Sequence, residues 1–209
     1  MNETKWYVYG IVEAEPLRMD VSGVAGAEEV TAVEHQQIAA LVSEIETMNP
    51  DRSEANVRAH NQVLKQAMDQ GCDGTVVPMQ FGMVFETKNT IENVLRHGRR
   101  AFVQALEQTE GMIELGVKII AHSDASVDRA AIVASVEDEL DRSSETVAQN
   151  RMFSDRLLIN RSYLVERSNR EALDAGIDRL RDRHEDVTIQ YSGPWPPYNF
   201  VDIQIGASQ

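Results

Sequence analysis

Cysteine is nearly absent: Cys72 is the only one in 209 residues. A single thiol cannot form an internal disulfide and is too few for a cysteine zinc site. Its neighbour Asp73 disfavours a thiolate nucleophile. Lysine is scarce too, with Lys5, Lys65, Lys88 and Lys118 the only four among 20 basic residues. No apolar run approaches the roughly 20 residues that a membrane-spanning helix needs. The first residues lack the basic-then-apolar pattern of a leader, so a cytoplasmic protein with no membrane partner is expected. There is no P-loop, GxGxxG or GxSxG, and the five histidines (His35, His60, His97, His122 and His184) show no HExxH or HxH spacing. The sequence therefore predicts no catalytic residues, no cofactor and no metal.

What is abundant is negative charge. The formal charge of −14 divides into −8 over residues 1–110 and −6 over residues 111–209, so it is spread along the chain. An evenly acidic, lysine-poor surface suits a high-salt cytoplasm, where screening removes self-repulsion. It also argues against a nucleic-acid partner, which needs clustered positive charge. With 42% hydrophobic residues the chain can fill ordinary cores. Its length suits two domains of roughly 100 residues, here an N-terminal α+β domain over residues 1–110 and a second domain over 111–209.

Residues 6–12 (WYVYGIV) are aromatic and β-branched, the pattern of a strand buried on both faces. Residues 30–33 and 38–42 read as two short strands, and 53–70 as a helix that Gly71 ends. Residues 75–85 are strand-like, with Pro78 placing their first part at an edge or bulge. Asn89, with Glu92 three residues on, predicts a capping box for a helix running to Gly111. In the second half, residues 112–120 form an alternating strand. Residues 126–153 read as two helical pieces broken near Arg142, and 157–166 as a strand. A helix over 169–184, a strand over 187–191 and a last strand over 200–205 complete the order. It approximates a split βαβ, ferredoxin-like plan with one strand misplaced or unseen.

Three segments carry unusual chemistry. The first, Pro78 to Gly82 (PMQFG), puts a proline, an aromatic and a glycine into one strand. It is either an ordinary bulge or an edge that admits another backbone. The second runs Gly193-Pro194-Trp195-Pro196-Pro197-Tyr198-Asn199-Phe200, where three prolines fix the backbone around three of the chain's twelve aromatics. None of these side chains is a good acid, base or nucleophile near neutral pH. The segment is either an internal clamp or an exposed aromatic anchor, and Trp195-Pro196 and its neighbours are candidates for a cis bond. The third is a basic patch of Arg96, His97, Arg99 and Arg100. These cations either complement acidic neighbours on their helix or form a docking point for an acidic partner or an anion.

The GPWPPYNFV string (residues 193–201) resembles the C-terminal signature of the gas vesicle protein F/L family. The resemblance extends over nearly the whole chain through YVYGIV at 7–12, VPMQFG at 77–82, ELGVK at 114–118 and YLV at 163–165, in the expected order. The length is similar to that of the shorter F branch, and the acidic, lysine-poor composition agrees with a haloarchaeal source. Gln80 stands where the family usually has arginine, so no role of that arginine transfers here. The resemblance implies an α+β protein of two domains, the second a modified ferredoxin-like fold with an added helical region. It implies an accessory or minor structural protein, found with the gas vesicle and in the cytoplasm, that binds the hydrophobic shell subunit or other accessory proteins during nucleation and assembly. The expected partner surfaces are Pro78, Phe81 and Gly82, and the corner formed by Gly193, Pro194, Trp195, Pro196, Pro197, Tyr198 and Phe200. Two alternatives stand beside it. A ferredoxin-like small-molecule-binding regulator or enzyme predicts a closed apolar pocket with converging polar groups. A general chaperone-like adaptor predicts equal binding of unrelated hydrophobic clients.

Overall fold

The aromatic opening segment forms β1 (Lys5–Glu13), the central strand of an antiparallel sheet of five strands. β3 (Ile38–Ile45) lies on one side of it, with β2 (Thr31–His35) outside β3. On its other side lie the two-residue strands β4 (Val77–Pro78) and β5 (Val84–Phe85). The structure is a computed structural model that describes residues 4–15, 19–70, 74–123 and 127–203. Two units emerge from it, one of Met1–Gly111 with Val201–Gln209 and one of Met112–Phe200.

In the first unit, β1 is buried on both faces because a helix packs on each. A bulge leaves Tyr9 without a partner between Val8 and Gly10 in the register with β3. It lets Val8 and Ile11 enter the same core, where they meet Ile91, Leu95 and Phe102 of α2 (Lys88–Thr109). Tyr7 and Tyr9 instead meet α1 (Glu54–Gln70), whose inward residues are His60, Val63, Leu64 and Ala67. Gly10 is where β1 passes closest to that layer: a Cβ there would lie 2.9 Å from Leu64, Val76 and the Val77 carbonyl. Val201 and Ile203 pack on the α2 core, which groups the C-terminal residues with this unit.

The second unit runs β6 (Met112–Ala121), α3 (Arg129–Glu139), β7 (Thr146–Gln149), β8 (Leu157–Glu166), α4 (Arg170–Arg183), β9 (Val187–Trp195). Its sheet has the order β7-β8-β6-β9, antiparallel throughout. This is the split βαβ arrangement of a ferredoxin-like fold. Ile113, Leu115, Val117 and Ile119 of β6 are buried, as are Ile132 and Val136 of α3 and Leu173 and Ile177 of α4. The intervening residues of β6, including Glu114, Gly116 and Lys118, face the opposite side.

Several expectations are corrected here. The expected second helical piece of residues 126–153 is a 3-10 turn at Asp141–Ser143 followed by β7, the unseen strand. Asn89 lies inside α2. The cap is Thr87, whose Oγ1 accepts the Thr90 N–H at 3.1 Å. The strand expected over 75–85 is two short strands separated by a turn at Phe81 and Gly82. Residues 200–203 form no strand, and 204–205 lie outside the described residues, as do Gly71 and Cys72.

Candidate functional site

The Pro78 to Gly82 segment is fastened to the first unit by a short hydrogen-bond chain. The Gly82 N–H donates to the Tyr7 hydroxyl at 3.1 Å, and that hydroxyl pairs with His60 Nδ1 at 2.9 Å. The His60 ring also bonds the Met79 carbonyl, so Nδ1 is the acceptor for the Tyr7 O–H. His60 is 3% exposed, and burial pushes its pKa down to about 4. The Met79 carbonyl opposes that shift, and the Arg52 charge adds slightly to it. Burial also drives the Tyr7 hydroxyl far above its usual range. A neutral His60 can therefore hold both ends of the segment.

Phe81 closes this cluster. Its ring stands edge-on to Tyr7 and His60 at 5.9 and 5.8 Å, under the Arg52 guanidinium at 5.7 Å. Phe81 and Pro78 are half-buried; Gln80 and Gly82 are exposed, the latter with φ +95°. The structure brings Pro78, Phe81 and Gly82 together at the edge beside β1, with the Phe81 ring packed on Tyr7 and His60.

The proline corner lies in the second unit and divides by residue. Gly193, with φ +120°, and a cis bond to Pro194 lie near the end of β9, where the register with β6 shifts, and Trp195 lies opposite Glu114 of β6. A Cβ on Gly193 would come within 2.8 Å of the Glu114 carbonyl. Pro196 and Pro197 are buried, and their carbonyls accept the N–H groups of Tyr198 at 2.7 Å and Phe200 at 3.1 Å. That turn aims Asn199 at Glu114. The carboxylate, on a residue 4% exposed, accepts the Asn199 backbone N–H at 2.9 Å and its side-chain Nδ2–H at 2.5 Å. Ser162 Oγ accepts from Asn199 and from Asn150. The prolines and Asn199 thus form a clamp, while Trp195 stays 38% exposed with its Nε1 on Ser192 Oγ at 3.3 Å.

Trp195 borders a cavity of about 300 Å³ on the sheet face turned away from α3 and α4. Glu114, Lys118, Asn150, Asn160 and Ser192 contribute to its polar lining. Phe153 stands over Lys118, whose Nζ is 5.8 Å from the ring centroid, and is 68% exposed; its neighbour Met152 is exposed as well. The small-molecule alternative calls for a closed apolar pocket, and this cavity is of mixed polarity and partly open. Sequence reasoning missed Phe153 and the Glu114–Asn199 pair. The available signal for the first was an apolar Met152-Phe153 step inside the polar stretch 149–156. The second is a long-range contact with no local pattern.

The family model described as gas vesicle synthesis protein GvpL/GvpF matches residues 5–131 and 122–202. The chain belongs to the GvpL/GvpF family. Gas vesicle protein F1 of Halobacterium salinarum is 48% identical over 97% of this chain and 95% of its own length. Gas vesicle protein F of Haloferax mediterranei is 46% identical over 97% and 96%. Both sources are halophilic archaea. The crystal structure of GvpF from Anabaena has the same fold, with a TM-score of 0.86 and 21% identity over 96% of this chain and 97% of that one. Membership makes this a gas vesicle accessory protein. Among the described residues, no helix is long and apolar enough to cross a membrane.

Proposed function

We propose that this GvpL/GvpF member acts in gas vesicle nucleation and assembly by binding the hydrophobic shell subunit or other accessory proteins. The face of the second unit that carries Trp195 and Phe153 is the primary contact. A very hydrophobic subunit associates non-specifically unless its apolar surface is covered before it joins the wall. The observation that carries this reading is the exposed Trp195, held in place by the clamp behind it. A large aromatic ring with its backbone fixed loses little entropy on binding and is the commonest type of interface anchor. The polar groups that line the cavity beside it, such as Asn150, Asn160 and Ser192, complement the main-chain N–H and C=O groups of a bound segment, whose apolar side chains meet Trp195 and Phe153. The edge at Pro78, Phe81 and Gly82 is a second contact, limited to its exposed turn.

The test is gas vesicle formation in a haloarchaeal host whose own F protein has been deleted. The wild-type chain restores vesicles; a Trp195→Ala/Phe153→Ala double variant, with its fold confirmed by thermal melting, restores few or none. Full restoration by the folded double variant would refute the assignment of this face.

A further inference from the structure

Seven arginines of the described chain pair with carboxylates, among them Arg58 with Glu54, Arg161 with Asp141, and Arg179 and Arg183 with Glu139. Others stand singly, Arg129 and Arg156 on backbone carbonyls and Arg52 over Phe81. On α2 three without a carboxylate lie together. Arg96 donates to Asn93 Oδ1 at 2.6 Å, Arg99 donates to Gln37 Oε1 at 3.0 Å, and Arg100 is exposed. Among the described residues none of the three forms an ion pair. Their spacing of i, i+3 and i+4 puts them on one helix face, with Val103 and Gln104 a turn further on. Arg99, Arg100, Val103 and Gln104 line a cleft of about 700 Å³ with Gln37, which follows β2, on its other side. Glu107 is the lining's single acid.

We propose that this cleft docks a short acidic segment of another protein. Its carboxylates meet the arginine face and an adjoining apolar residue meets Val103. Charge complementarity is the argument. A chain of net charge −14 concentrates three unneutralised guanidinium groups within five residues and leaves their forks turned to solvent or to amides. A guanidinium fork takes a carboxylate in two parallel hydrogen bonds, which a lysine ammonium cannot match. The amides of Gln37 and Gln104 are placed to bond the segment's main chain. Glu107 repels a carboxylate at its end, so the segment is oriented with its acids towards Arg96. An extended polyanion such as RNA is disfavoured, because it would lie against acidic surface beyond the patch. In multimolar salt the screening length falls to about 3 Å or less, which removes long-range steering. Only groups in direct hydrogen-bonded contact then discriminate, as paired forks do. The site shares no residue with the Trp195 face and stands whether or not that face binds the shell subunit.

The experiment measures fluorescence anisotropy of labelled helical peptides with the intact protein in multimolar KCl. One peptide carries glutamates at i, i+3 and i+4 with a leucine one turn on. Matched peptides replace the glutamates by glutamine or by lysine. The glutamate peptide is expected to bind at least about fivefold tighter than the glutamine peptide, two or three modest contact pairs being enough for that ratio. Arg99→Glu/Arg100→Glu reverses the order in favour of the lysine peptide, and Trp195→Ala leaves it unchanged. If the reversal variant does not fold, Arg99→Gln/Arg100→Gln serves in its place and abolishes the preference. Equal binding of glutamate and glutamine peptides, or a preference that survives either arginine variant, overturns the proposal. So does tighter binding of a short single-stranded RNA than of the glutamate peptide.

Discussion

Acidification below neutral pH loads the first unit through His60. The folded protein holds its pKa at about 4, against an ordinary value of 6.5, chiefly because the ring is buried. Between those two values the unfolded chain binds a proton that the folded chain refuses. Stability therefore falls as pH falls through this window, by up to about 1.4 kcal/mol per unit. Well above pH 6.5 the group contributes no slope. By pH 4 the accumulated loss is about 3 kcal/mol, a large share of the stability of an ordinary domain. His60→Gln removes the titration while keeping one donor for the Met79 carbonyl and one acceptor for Tyr7. The assay is urea unfolding of both proteins at about pH 7, 6, 5 and 4.5. Trp6, in the first unit, is read by fluorescence after Trp195→Phe removes the other indole. Subtracting one protein from the other cancels the carboxylates common to both. The stability of wild type relative to the variant should fall by about 2–3 kcal/mol across the series. A difference that stays flat with pH refutes the buried, neutral His60 and the chain through Tyr7 to Gly82.

Gly10→Ala places a methyl 2.9 Å from three atoms, one of them a backbone carbonyl that cannot rotate away, and should cost about 1–3 kcal/mol in a thermal melt. Thr87→Ala removes the cap of α2 and should cost about 1 kcal/mol, whereas Asn89→Ala, within the first turn, should be nearly neutral by the same melt. Glu114→Ala strips the acceptor from both Asn199 donors, and the Asn199 amide should then exchange with solvent at least about tenfold faster by hydrogen-exchange mass spectrometry. An unchanged rate would mean that the buried prolines hold the corner alone.

The elements with strong periodicity were legible from sequence. β1, β6 and β8 announce themselves by runs of β-branched and aromatic residues, and α2 by apolar positions from Ile91 to Leu106. β7 was not, because Thr146-Val147-Ala148-Gln149 is short and neither of its faces is fully buried; only pairing with β8 makes it a strand. The alternation at Val201 and Ile203 reflects partial burial, by packing on the α2 core without a strand partner. Thr87 was overlooked as a cap because Asn89 with Glu92 has the same local signature two residues later. Local pattern cannot say which of two adjacent caps the fold uses.

The candidate site shows the same division. An aromatic between prolines is a visible oddity, and Trp195 is exposed, but composition cannot tell that Pro196 and Pro197 turn inward. That depends on Glu114, 85 residues away from Asn199 in sequence. Phe81 reads as a partner contact from its motif, while Tyr7 and His60 claim most of its ring. The basic patch of α2 was visible in sequence; its lack of acidic partners was not, since that needs the neighbouring elements in place.

The measurement closest to the central claim is capture of the gas vesicle shell subunit by this protein in multimolar salt, with wild type, Trp195→Ala/Phe153→Ala and an unrelated hydrophobic client compared side by side. Binding through the Trp195 face predicts selective capture of the shell subunit by wild type and its loss in the folded double variant. Undiminished capture by that variant, or equal capture of the unrelated client, would contradict it.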